Sequence, residues 1–238
     1  MKVNFQILIG MPAEAGKGCK MKIKKTIYFI LMFLPLAVVL IALPFLPDQI
    51  PAHYGFDNQV DRWGSKYEAL VFPVISILMG FFMLGMAKLA AKQENNGENN
   101  RKVVLIVGIL VLISYNVSTG YSLYTDFHKV ENLSAVSLDL SQLILGLLGI
   151  LMIITGNIMP KLRMNSIAGL RTHWSVKNEV TWKKCQRMAG ISFMIGGIII
   201  LGVCIAVKGT LCIISVLGIC FLLIAIDIFL TYRIAKKN

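Results

Sequence analysis

Six stretches of this 238-residue chain run long enough without a charged side chain to cross a bilayer: 27–46, 69–87, 103–125, 140–160, 188–207 and 209–226, the last with an extension to residue 232. A helix needs about 20 apolar residues to traverse the hydrocarbon layer. One such run is compatible with a buried helix of a soluble core, but six in succession are not. With 56% hydrophobic residues, 15% charged ones and a mean hydropathy of +0.72, the chain lacks the polar residues to cover a water-soluble globule. The expectation is an all-α, polytopic integral membrane protein with six transmembrane helices.

Its orientation is read from the cations, because cytoplasmic connections hold the excess of Lys and Arg. Of the 24 basic residues, all but Arg62, Lys66, Lys129 and Lys208 fall in the N-terminal segment, the second and fourth connections and the C-terminal tail. That distribution predicts both termini in the cytoplasm, and the connections after helices one, three and five outside. The net charge of +12 is then a topology signal and not a nucleic-acid footprint. A basic face for anionic lipid headgroups follows from the same asymmetry.

The chain divides into a basic cytoplasmic N-terminal tail (1–25), a two-helix module (26–90) with an outside loop over 47–68, a cytoplasmic linker (91–102) and a four-helix part (103–238) with a cytoplasmic loop over 156–190. Residues 1–20 read either as a mobile tail or as lying ahead of a true start at Met21. The run after Lys25 has no small-residue cleavage site and reads as a spanning helix, not a signal peptide. The tract KQENNGENNRK contains no apolar residue and reads as a mobile linker.

Catalytic signatures are missing: no HExxH, GxSxG or Walker A loop occurs. His53 and His128 fall on the outside and His173 on the inside, so a three-histidine metal site is excluded by topology. No enzyme activity, metal or cofactor is expected. Cys204, Cys212 and Cys220 lie in the last two helices and read as small packing residues, with no disulfide expected. Small residues four apart, Ser76/Gly80, Ser192/Gly196 and Gly202/Ala206, suggest close helix packing.

Asp227 is the one ionisable residue inside an apolar run. It reads as an intramembrane functional charge, or as a carboxylate near enough to Arg233 to reach headgroups or water. Together with polar Ser114, Asn116, Ser118 and Thr119 in the third helix it keeps a transporter or exporter of a peptide or small molecule open as the alternative. His173 with Asp227 is the only loose pairing for an intramembrane enzyme.

Two connections are too specific in composition to be simple links. The outside one, LPDQIPAHYGFDNQVDRWGSKYEA, has Pro47 and Pro51 barring a regular helix and Gly55 and Gly64 permitting tight turns, so it should have a definite shape. Tyr54, Phe56 and Trp63 suit either an interfacial anchor or a recognition surface. His53, Asp57 and Asp61 are potential ligands, but nothing places them on one face. The cytoplasmic one carries Lys161, Arg163, Asn165, Gly169, Arg171, Thr172, Trp174 and Trp182. Residues 176–187 read as an interfacial helix with Val180 and Trp182 towards lipid and Lys177, Lys183, Lys184 and Arg187 towards water.

On these residues the chain resembles known sequences. LPDQIPAHYGFDNQVDRWGSK resembles a membrane module of unknown function, and GNIMPKLRMNSIAGLRTHWSVKNEVTWKKCQRMAG resembles the signature of the SdpI family, the immunity proteins against the sporulation delay protein toxin. The chain departs from that signature at His173, where proline is usual, at Ser175, usually threonine, and at Cys185 and Gln186, usually a Thr-His pair. The resemblance implies a multi-pass protein of the bacterial plasma membrane whose partners are the lipid bilayer, a secreted membrane-active peptide toxin and a small cytoplasmic repressor. It implies that Ile50, Pro51, His53, Gly55, Asp57, Ser65 and Lys66 shape the outside loop, to which Asp61 and Trp63 are added as candidate ligand contacts. It likewise implies a cytoplasmic motif or partner surface of Gly156, Asn157, Pro160, Lys161, Arg163, Asn165, Gly169, Arg171, Thr172, Trp174 and Trp182.

Overall fold

The computed structural model describes residues 13–92 and 97–237. Among them are six helices long and apolar enough to span a membrane: α1 (Ala13–Ala42), α2 (Val71–Ala91), α3 (Gly97–His128), α4 (Leu140–Ile158), α5 (Glu179–Ala206) and α6 (Gly209–Lys236). Of the tail expected over 1–25, residues 1–12 lie outside the described residues, and from Ala13 the chain is helical. The connections after α1, α3 and α5 meet at one end of the bundle, where Val60 N donates to Glu131 O at 2.9 Å and the Thr210 hydroxyl donates to Phe56 O. This end is called the hairpin face, and the opposite one the motif face.

The helices make this an all-α polytopic architecture, to which the first connection adds an antiparallel hairpin of β1 (Gln49–Tyr54) and β2 (Val60–Ser65). Pro51 sits in it without loss, since both strands of a two-stranded ribbon have a free edge. Two expectations need correction. The expected linker is helix from Gly97, because Asn99 and Asn100 have backbone partners to hold: Asn99 Nδ2 donates to Lys161 O at 2.7 Å and Asn100 Oδ1 accepts from Arg163 N at 3.1 Å. There is also no separate interfacial helix before the fifth span. Asn178 caps α5 through Thr181 N at 2.8 Å, and the first turns continue into the membrane run with Thr181, Trp182, Cys185, Gln186 and Ala189 on a buried face. Val180 is exposed as expected, whereas Trp182 faces inward.

Packing groups the helices three and three: α3 lies mainly against α2 and α1, and α4 against α5, with α6 on α5. Pro35 shows how the first group is held. A proline in mid-helix deprives the carbonyl four residues earlier of its donor. That carbonyl, Leu31 O, accepts from Asn116 Nδ2 of α3 at 2.8 Å. The neighbouring polar groups of α3 are spent on its own backbone, Ser114 Oγ on Leu110 O and Thr119 Oγ1 on Tyr115 O.

The second group depends on four glycines. Gly156 faces Gly190 and, two turns away, Gly149 faces Gly197. A Cβ at Gly190 would meet Gly156 O at 2.5 Å, and one at Gly197 would meet Gly149 O at 2.5 Å. Small residues repeating every seven positions on both antiparallel helices allow this backbone approach, which in a bilayer is itself the attractive interaction. Of the pairs expected from sequence, Gly80 admits the Met32 side chain and Gly196 that of Leu223, whereas Gly202 faces open space.

Candidate functional site

On the hairpin face the β1–β2 turn is closed by Gly55 N to Gln59 O at 2.8 Å and Asn58 N to Gly55 O at 3.0 Å. Asn58 takes the left-handed conformation, φ 64°, one that asparagine tolerates better than most residues. Its side chain points down into the bundle, where Nδ2 donates to Asp139 Oδ2 at 3.3 Å. Asp139 is fully buried and joins three segments. Its Oδ1 accepts from Gln142 N at 2.7 Å, completing a capping box at the start of α4, while its Oδ2 accepts from Gly209 N at 2.7 Å at the start of α6. A carboxylate at two helix N-termini is electrostatically favoured as well as hydrogen-bonded. Gly209 itself has φ 59°, and a Cβ there would press on Asn58 Nδ2 at 3.0 Å.

The hairpin is pinned a second time by Tyr54, whose hydroxyl donates to Val130 O at 2.8 Å. Half-burial pushes its phenol up to about 12. Tyr54, read from the sequence as either an interfacial anchor or a recognition contact, thus serves as a fastening. Phe56, 84% exposed at the turn, is free for either role. Ile50 and Pro51 are buried; Ile50 packs with Val39, Leu46, Ala69 and Leu123, so these two residues shape the loop and present nothing. The outward groups are His53, whose Nδ1 is 2.6 Å from Asp61 Oδ1, and Trp63. Asp57 accepts from Gln59 N at 3.1 Å, and Lys66 is paired at 2.8 Å with Asp48, whose carboxyl it holds below the ordinary range. His53, Asp57 and Asp61 do not form a three-ligand cluster, and none is found among the described residues.

Between the hairpin and the adjoining ends of α4 and α6 lies a groove of about 430 Å³. Tyr54, Phe56, Leu133, Leu140, Ile144, Leu145 and Ile213 line it, with His53 and Asp61 at the rim. An apolar cleft with a few polar groups at its edge suits a ligand that is itself largely apolar.

The motif face is built differently. Asn165 Oδ1 accepts from Ile167 N and Ala168 N, both at 2.7 Å, and its Nδ2 donates to Arg163 O at 2.7 Å. Gly169 is left-handed, φ 103°, and a Cβ there would strike Gln186 Oε1 at 2.6 Å. Gln186 closes the loop from inside: Oε1 accepts from Leu170 N at 3.0 Å and Nε2 donates to Leu170 O at 2.9 Å. Ser175 Oγ donates to Leu170 O at 3.0 Å and accepts from Thr172 N at 2.8 Å. Trp182 Nε1 donates to Leu162 O at 3.0 Å. Trp174 lies edge-on to Tyr232, with 5.5 Å between ring centroids.

Of the motif residues read from sequence, Gly156, Asn165 and Trp182 thus point inward, and Gly169 and Thr172 serve the loop backbone. Asn157, Pro160, Lys161, Arg163 and Arg171 are exposed, Arg171 donating to Ser166 O at 2.6 Å. His173 is exposed and Asp227 is buried in α6, and no hydrogen bond joins them. Asp139, Asn58 and Gln186 were missed as key residues. The first was legible as a cap, since Asp139 followed three residues later by Gln142 is a capping-box pattern.

These features define a multi-pass helical membrane protein roofed at one end by a hairpin and clasped at the other by a hydrogen-bonded loop. Residues 30–77 match a domain of unknown function, DUF1648, and residues 161–231 match the SdpI/YfhL protein family. The resemblance at both motifs is therefore real, and the two matches contain the hairpin and most of the clasp. The chain is similar to Immunity protein SdpI of Bacillus subtilis (strain 168), with 25% identity over 217 residues that cover 90% of this chain and 97% of the relative. No solved structure matches the chain.

Proposed function

We propose that this chain is an immunity protein of the bacterial plasma membrane, with the hairpin face outside and the motif face in the cytoplasm, and that it protects its host from a secreted, membrane-active peptide toxin. The observation that carries the reading is the nearly end-to-end correspondence with an immunity protein. The placement of cations supports the orientation. The groove beneath the hairpin supports capture: a hydrophobic peptide that has partitioned into the outer leaflet meets an apolar cleft at that depth, rimmed by His53 and Asp61. Sequestration there competes with pore formation. The protein acts by binding and not by catalysis.

A receptor role uses the same geometry. Toxin in the groove touches α4 and α6, and α4 is locked to α5 through the glycine pairs, so displacement at the hairpin face reaches the clasp. It does so only if toxin binds one helix arrangement better than another. The exposed cations Lys161, Arg163 and Arg171 are then the surface offered to a small cytoplasmic repressor.

The test is survival of a bacterial strain sensitive to the sporulation delay toxin, expressing this chain and challenged with that peptide or with an unrelated pore-forming peptide. Selective protection, lost in His53→Ala at unchanged membrane expression, is expected. Equal survival of vector and expressing cells sinks the reading. Transport retains one supporting observation, Asp227, which is buried in α6 with Oδ1 lacking a hydrogen-bond partner. Asp227→Asn separates the two, because loss of protection with normal expression favours a charge that works in transport, and full protection favours binding.

A further inference from the structure

A second groove, of about 520 Å³, runs between α5 and α6 towards the motif face. Ile191 and Ile195 wall it on one side, Leu223 and Ile226 on the other, and the end nearest the motif face is bounded by Lys184 and Arg187. Both cations are exposed, and the isoleucines are about half exposed, so the groove is open along its length to whatever surrounds the helices. Ser192 borders it too, but its Oγ is shielded and turned towards the Asp227 carboxyl of α6, so the groove itself is apolar below the two cations. Arg233 lies one turn beyond the groove residue Leu230 on α6, its guanidinium 5.8 Å from the Phe229 ring centre.

The order of chemistry along this groove is that of a phospholipid: positive charge at the membrane surface, then hydrocarbon. We propose that the groove binds an anionic glycerophospholipid, its phosphate held by Lys184 and Arg187, and an acyl chain lying against Ile191, Ile195, Leu223 and Ile226. Basic pockets between transmembrane helices recognise acidic headgroups in this way. Arg187 adds a planar fork that matches phosphate oxygens in pairs. A free anion gains nothing from the apolar walls, and a neighbouring apolar helix gains nothing from the two cations. The site is independent of toxin capture at the opposite face.

Native mass spectrometry of the full chain in detergent, titrated with dioleoyl phosphatidylglycerol or dioleoyl phosphatidylcholine, tests this. The wild type is expected to retain the anionic lipid about thirtyfold more tightly than the zwitterionic one, in keeping with two surface cations per headgroup. Lys184→Gln with Arg187→Gln should erase the preference, whereas Lys161→Gln with Arg163→Gln, which removes the same charge from the same face, should leave it intact. Ile195→Trp, which fills the apolar part of the groove without touching the cations, should weaken retention of the anionic lipid. Equal retention of both lipids by the wild type overturns the site, as does an equal loss in the control pair, or a chain that forms lipid-free dimers through this face.

Discussion

The two ends of the bundle carry equally distinctive sequence, yet their residues do opposite work. At the motif face a run dense in cations, asparagines and tryptophans reads as a docking surface, but Asn165, Gly169, Trp182 and Gln186 turn towards the protein and satisfy or admit backbone. At the hairpin face the same kind of string divides. Ile50, Pro51, Tyr54 and Asn58 fasten the ribbon, and His53, Phe56, Asp61 and Trp63 are left outward or at the rim of the groove. A loop crossing the end of a bundle must find partners for its N–H and C=O groups, and the polar side chains that supply them are withdrawn from presentation. The clasp consumes its own polar groups; the hairpin, with its ladder of backbone bonds, can spare some.

That contrast is most severely tested where the clasp is anchored. Gly190→Leu places a side chain against Gly156 O, and because the clash is with backbone the cost should reach or exceed the upper end of the roughly 1–3 kcal/mol usual for overpacking. Thermal unfolding in detergent and the yield of monodisperse protein should show most of the chain lost. A variant that melts like the wild type would mean that α4 and α5 do not approach as closely as described.

Asp139→Ala should come next. It leaves Gln142 N and Gly209 N without their acceptor and Asn58 Nδ2 with Ser134 Oγ alone, at a cost on the order of 2–3 kcal/mol. The loss should be local: hydrogen exchange should rise over 55–60 and 130–134 and stay unchanged over 163–170. Uniform deprotection would mean that the two faces are not separable. Gln186→Leu is the mirror experiment at the motif face, where Leu170 N and O lose their partner for about 1–2 kcal/mol. Exchange should rise over 168–172 alone, and toxin resistance should fall only as far as expression does.

The fold was legible to the extent that chemistry is periodic or bulky. Six apolar runs announce six spans, and the split of cations sorts their connections into two groups that the structure brings together at opposite ends. Helix ends were less legible, because the apolar run stops where lipid stops, while α3 begins six residues early on Asn99 and Asn100 and α5 nine residues early on Trp182 and Gln186. Those extensions depend on partners 60 and more residues away for α3 and about 20 away for α5, which no local pattern records. The hairpin was hidden by Pro51 and by two irregularities in its register that break strict alternation. The glycine pairs were readable at a spacing of seven, but only with both helices aligned.

The smallest expected effect separates the faces by pH. The clasp is held by amides, hydroxyls and an indole, none of which titrates between acid and strong base. The hairpin has an edge at each end of the scale. Asp48 is held below its ordinary value of 3.8 by the hydrogen bond and charge of Lys66, so its contribution is complete above that value and disappears as pH falls through the lower folded value. Tyr54 is shifted upwards, from 10.0 to about 12, by burial that disfavours the phenolate. Its contribution is complete below 10, and is lost as pH rises through the interval and the proton donated to Val130 O leaves. Both carriers are at least partly exposed, so each edge should be a local loosening, not unfolding. In a Glu68→Gln background, which removes the carboxylate next to Gly64, backbone amide shifts of Gly64 should titrate in acid and should cease to do so once Asp48→Asn is added, and tyrosinate absorbance should lose a late component in Tyr54→Phe, while the Gly169 amide reports neither edge. An acid transition at Gly169 matching that at Gly64 would show the two ends to be coupled through the glycine-paired helices.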